Sequence, residues 1–104
     1  MPVTLLALYR RPDGGAEALE TFQRRYAEEH APLMRQVPGL RSMEVSRVQQ
    51  ALTESDIVMT CAMAFDGRAE LDAALATDEM RAAGRNIRAI APGLLTLLVV
   101  EREP

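Results

Sequence analysis

Most of the chemistry open to this chain rests on one histidine, two tyrosines and one cysteine. His30 follows Tyr26 by four residues, and on a helix side chains at that spacing share one face. An imidazole with an ordinary pKa near ~6.5 takes or gives a proton at neutral pH, and a phenol polarises a carbonyl or enolate oxygen. Together they can support proton abstraction, isomerisation, or deprotonation ahead of a reaction with oxygen. The competing reading is a histidine packed structurally in the apolar stripe of Leu19, Phe22, Tyr26 and Leu33. No orienting group can be assigned from spacing, and Glu44, Glu54 and Asp56 are candidates by type alone.

Other chemistries find less support. Ser42, Ser46 and Ser55 lie outside any nucleophile-elbow motif, and any triad has to draw on the same histidine. Cys61 sits in an apolar run, so one histidine and one thiol are a poor start for a metal site. Gly14-Gly15 and Pro92-Gly93 read as turns rather than a phosphate-cradling loop, and no cofactor is expected. Arg81, Arg85 and Arg88 recur at helical spacing and read as a solvated face, not an anion site. Met34, Met43, Met59, Met63 and Met80 suit core gap-filling first and an adaptable pocket second.

These residues need elements to position them. Val3 to Tyr9 favours a strand and is closed by Pro12-Asp13-Gly14-Gly15. From Ala16 the apolar period lengthens to that of a helix through Leu19, Phe22, Tyr26, His30 and Leu33. Pro32 lacks an N–H, so a kink or a restart is expected there, which puts His30 at a helix break. Leu40 to Gln49 alternates as a half-exposed strand, Leu52 to Asp56 is a polar connection, and Ile57 to Phe65 is a strand uncharged on both faces. Asp66 is the expected cap of a helix with Leu71 and Leu75, and Thr77 caps a further segment with Met80, Ala83, Ile87 and Ile90. Leu94 to Val100 is the last strand, ahead of the charged tail Glu101-Arg102-Glu103-Pro104.

The order β-α-β-β-α-β is the ferredoxin-like, α+β pattern: an antiparallel four-stranded sheet with two helices on one face. Residues 1–104 are long enough for one domain and one core. The first, third and fourth strands offer no polar set for the uncovered face, so a homodimer with its sheets face to face is expected. A net charge of -3 argues against nucleic acid as a partner. The run Leu94 to Val100 is too short to span a membrane, Val3 to Leu8 lacks the flanks of a signal peptide, and a single cysteine suits a reducing compartment. A cytoplasmic location is the expectation.

The run Phe22-x-x-x-Tyr26-x-x-x-His30-Ala31-Pro32-Leu33, followed by Pro38-Gly39-Leu40, resembles the EthD family of the dimeric α/β-barrel superfamily. The Tyr9-Arg10-Arg11-Pro12 ending of the first strand is similar too. The resemblance covers about the first forty residues. It implies a small homodimer with an apolar pocket near the first helix and a cofactor-independent enzyme, oxidoreductase- or isomerase/lyase-like, acting on a small hydrophobic metabolite. The alternative it leaves is a non-catalytic ligand-binding or accessory protein. On this resemblance His30 and Tyr26 are the catalytic candidates, and Phe22, Leu33, Tyr9 and Met63 the ligand-binding ones. Ala27, Ile87 and Ile90 stand where many members carry aromatics, which turns the expectation toward an aliphatic ligand.

Overall fold

Strict alternation of side chains fixes which strand residues meet the helices. In a computed structural model describing residues 1–103, β1 (Val3–Arg10) alternates buried and half-buried positions along its whole length. Pro104, the end of the charged tail, lies outside the described residues. Three further strands, β2 (Ser42–Arg47), β3 (Ile57–Phe65) and β4 (Leu95–Glu101), complete one sheet in the order β2-β3-β1-β4, antiparallel throughout. The fold is α+β and ferredoxin-like.

Register sorts the two faces. Leu5 pairs with Met63 and Val99, Ala7 with Cys61 and Leu97, and Tyr9 with Met59 and Leu95, all on the helix side. Leu6 pairs with Ala62 and Leu98, and Leu8 with Thr60 and Thr96, on the opposite face. That face therefore has an apolar centre with no helix over it, and Leu98 is 42% exposed there.

Each crossover is broken, the first into three helical pieces and the second into two. The first runs as α1 (Gly15–Arg25), a π-helical turn (Tyr26–His30) and α2 (Ala31–Met34). Pro32 explains the π turn. Its ring excludes the carbonyl four residues back and its nitrogen cannot donate, so the chain widens by one residue before it. The Ala31 amide consequently donates to Tyr26 O, five residues back. The second crossover is α3 (Arg68–Leu75) and α4 (Asp78–Ile90). Thr77 caps α4, its Oγ1 accepting from the Met80 amide at 3.1 Å. Asp66 does not cap α3. Gly67 holds that position without a side-chain bond, and the Asp66 carboxylate is instead taken by the Arg41 guanidinium at 3.0 and 2.7 Å. A bidentate charged pair outbids a single capping bond for the same carboxylate. No helix among the described residues is long and apolar enough to cross a membrane.

Candidate functional site

The space between α4 and the sheet is set by small residues. Ala83 and Gly84 face it from α4 and Ala7 from β1, so neither layer fills the gap with a side chain. What results is a cavity of about 650 Å³, open on one side, whose apolar wall includes Leu5, Tyr9, Met34, Met63, Leu95 and Leu97. His30 reaches it from the end of the π turn.

His30 is 5% exposed, and its Nδ1 is enclosed with no hydrogen-bond partner. Burial lowers its pKa below the ordinary histidine value, while neighbouring Asn86 acts in the opposite direction and more weakly. The ring is therefore neutral at pH 7 and available as a base. Asn86, on α4, is held by its amide: Nδ2 donates to Glu29 Oε1 at 3.0 Å. Glu29 is in turn gripped by the Arg25 guanidinium, which holds its carboxyl below the usual range with help from Asn86. Asn86 Oδ1 is left enclosed and unpaired beside the imidazole.

Tyr9, Phe22, Tyr26 and His30 form one aromatic cluster. The Tyr26 ring lies 5.1 Å from His30, 5.4 Å from Tyr9 and 6.1 Å from Phe22, centre to centre. Burial pushes both phenols well above the ordinary tyrosine value, so both stay protonated. Tyr26 is covered by these rings and does not border the cavity; Tyr9 does. Tyr26 Oη has no hydrogen-bond partner, with Tyr9 and Cys61 its polar neighbours. Cys61 is fully buried and burial raises its thiol pKa, which keeps it from acting as a thiolate.

Of the residues singled out from sequence, His30, Tyr9 and Met63 line the cavity together. Phe22 packs on Tyr9 and borders a second hollow beside α1, near Gly14 and Ile90. Leu33 is half-buried against the core and off the cavity wall. Its place is taken by Met34, four residues beyond His30, because side chains at that spacing stack one turn apart. Glu44, Glu54 and Asp56 are absent from the cavity wall; Asn86 and Glu29 supply the polar neighbourhood of His30 instead. Arg25 and Glu29 at helical spacing, and one asparagine on the apolar side of the second crossover, were the signals available for that network.

The arginine stripe of α4 also departs from expectation. Arg81, Arg85 and Arg88 border the cavity rather than facing away from it. Their side chains are exposed at its rim, beside the small residues that leave the gap.

Comparison with known families matches residues 16–89 to the EthD domain. The chain belongs to the EthD family. It is 38% identical to an ethyl tert-butyl ether D (EthD) family protein from Bacillus halodurans C-125, with a TM-score of 0.89 over 99% of this chain and 100% of that one. Two more distant structures share the fold. A dimeric protein of ferredoxin-like fold from Bacteroides fragilis is 18% identical, with a TM-score of 0.72 and coverage of 97% and 96%. SnoaB, a cofactor-independent oxygenase from Streptomyces nogalater, is 16% identical, with a TM-score of 0.65 and coverage of 99% and 94%. A comparison with curated proteins finds no match.

Proposed function

We propose that this EthD-family chain is a small cofactor-independent enzyme. It takes a hydrophobic molecule into the cavity between α4 and the sheet and uses His30 as its acid–base group. The observation that carries the reading is a neutral, buried imidazole facing an apolar cavity of about 650 Å³. A base in such a site takes a proton from an activated C–H, leaving an enolate. Tyr9, a residue of the same wall whose hydroxyl is kept protonated by burial, is the donor assigned to its oxygen in this proposal. Returning the proton at another carbon gives isomerisation; reaction of the carbanion with oxygen gives oxygenation. Tyr26 supports the imidazole by packing and takes no part in proton transfer.

The working unit in this proposal is one domain of 104 residues paired with a second copy through the uncovered sheet face, in the cytoplasm. The apolar register of Leu6, Leu8 and Leu98 supports the pairing, as does the dimeric description of the Bacteroides fragilis protein. The lone buried thiol suits a reducing compartment. A non-catalytic ligand carrier is the second reading, favoured by one observation: among the described residues no carboxylate orients His30 Nδ1.

Proton–deuterium exchange separates the two. In D2O, NMR follows exchange into cyclic 1,3-diketones and β,γ-unsaturated γ-lactones small enough for the cavity. The protein is expected to exceed the buffer rate, and His30→Ala to fall to it while remaining folded. Equal rates for the two proteins across the panel refute the acid–base role.

A further inference from the structure

The cavity is apolar in its wall and basic at its rim. Among the described residues its charged lining consists of Arg81, Arg85 and Arg88, with no carboxylate. That is a strong local bias in a chain with 15 acidic against 12 basic residues. Arg81 is committed, its Nη1 donating to Asp78 Oδ1 at 2.6 Å. Arg85 and Arg88 have no ion-pair partner among the described residues. Arg88 is folded back along the helix: a Cβ on Gly84 would lie 3.3 Å from its Nη1, so the absence of a side chain at Gly84 leaves room for the guanidinium at the rim. His30 borders the same cavity.

We infer that the ligand of this site is an amphiphilic monoanion: an apolar body with one carboxylate or equivalent oxyanion. The body lies among Leu5, Met63, Leu95 and Leu97, and the anionic group is held at the rim by Arg85 and Arg88. The inference rests on the cavity proposed above as the binding site and adds the ligand's polarity and direction of entry. The apolar end goes in first toward the His30 side, and the charged end stays at the solvent boundary. Solvated guanidinium groups can bind a carboxylate there without the desolvation penalty of a buried ion pair.

Octanoate and octanamide are matched probes, similar in length and differing in charge. Chemical-shift titration of 15N-labelled protein reads their affinities and the residues perturbed. Octanoate is expected to bind about five- to tenfold more tightly than octanamide at low salt, with shifts at Ala83, Gly84 and Leu97, and the preference should shrink as salt is raised. In Arg85→Gln/Arg88→Gln the two probes should bind within twofold of each other, with octanamide affinity unchanged. Arg68→Gln, an equal loss of charge on α3, should keep the preference, and loss of the preference there overturns the rim assignment. Equal binding of both probes to the unmodified protein, with shifts in the cavity, overturns the inference and leaves the cavity reading standing. Shifts confined to other surfaces overturn both.

Discussion

Replacing Tyr26 with phenylalanine removes a single oxygen from the centre of the aromatic cluster, and the structure gives that oxygen no hydrogen bond. A buried hydroxyl left unpaired is disfavoured by about 1–3 kcal/mol relative to water, and the phenylalanine ring keeps the contacts with Tyr9, Phe22 and His30. Loss of one oxygen's packing offsets part of that gain. The expected net change is a stabilisation of about 1 kcal/mol, or a rise of roughly 4–8 °C in Tm for a domain of this size. Urea unfolding of both proteins at one fixed concentration is the assay, because association would otherwise move the midpoint. The midpoint should rise with an unchanged slope. Tyr26→Ala is the contrast, expected to lose about 3–5 kcal/mol because it empties the ring's volume. A loss of 1 kcal/mol or more in Tyr26→Phe would show that the hydroxyl is a bonded member of the core. Loss of deuterium exchange in Tyr26→Phe at unchanged stability would return Tyr26 to the chemistry.

Stability should also depend on pH through His30. Its folded pKa lies below the unfolded value near ~6.5, so its contribution is present above that value and is lost as pH falls toward the folded pKa. The slope is at most about 1.4 kcal/mol per pH unit for one proton, and His30→Gln should flatten it between pH 6.5 and 5; an unchanged slope refutes the assignment. Leu98→Asp, on the uncovered sheet face, should convert a dimer to a monomer in light scattering at 10 μM, since pairing would then bury an unpaired carboxylate in each copy. A monomeric unmodified protein contradicts the pairing outright. Gly84→Ala should raise helix stability by about 0.5–1 kcal/mol in thermal unfolding, because the exposed Arg88 guanidinium can move the few tenths of an ångström its new neighbour requires. A fall in Tm would show that Arg88 is held where it lies.

The succession of strands and helices along the chain and most element boundaries are legible in period and turn chemistry, because alternation and helical spacing record burial directly. The Ile57–Phe65 strand and the Thr77 cap are found where the residues place them. The Asp66 cap fails because a carboxylate beside a turn can serve a distant guanidinium as readily as its own helix, and Arg41 is 25 residues away in sequence. The π turn is visible from Pro32 as a disturbance but not as a type, since a kink, a restart and a widened turn all answer a missing N–H. The pairing of Asn86 with Glu29 spans 57 residues, and no local pattern reports it. Arg85 and Arg88 mislead for another reason. Spacing places them opposite the apolar stripe of α4, as a solvated face, and only the gap left by Ala83, Gly84 and Ala7 brings the cavity's rim round to them.

Where a sequence satisfies every local rule, its structure needs no explanation beyond stability; departures that gather in one place need another. Here the departures gather around the cavity. The widened turn delivers His30 to its wall, and a glycine sits in the interior of α4, where alanine would favour the helix. Among the described residues three enclosed polar atoms, Tyr26 Oη, His30 Nδ1 and Asn86 Oδ1, have no partners, although buried polar groups are ordinarily bonded, and of the three residues His30 is the one on the cavity wall. Each departure weakens the free protein slightly, and none improves packing elsewhere. A bound molecule can offset one of them directly, by filling the gap beside Gly84. Ligand binding should therefore raise the unfolding midpoint of this protein, and the rise should be smaller in a variant such as Ala83→Leu that fills the cavity with its own side chain.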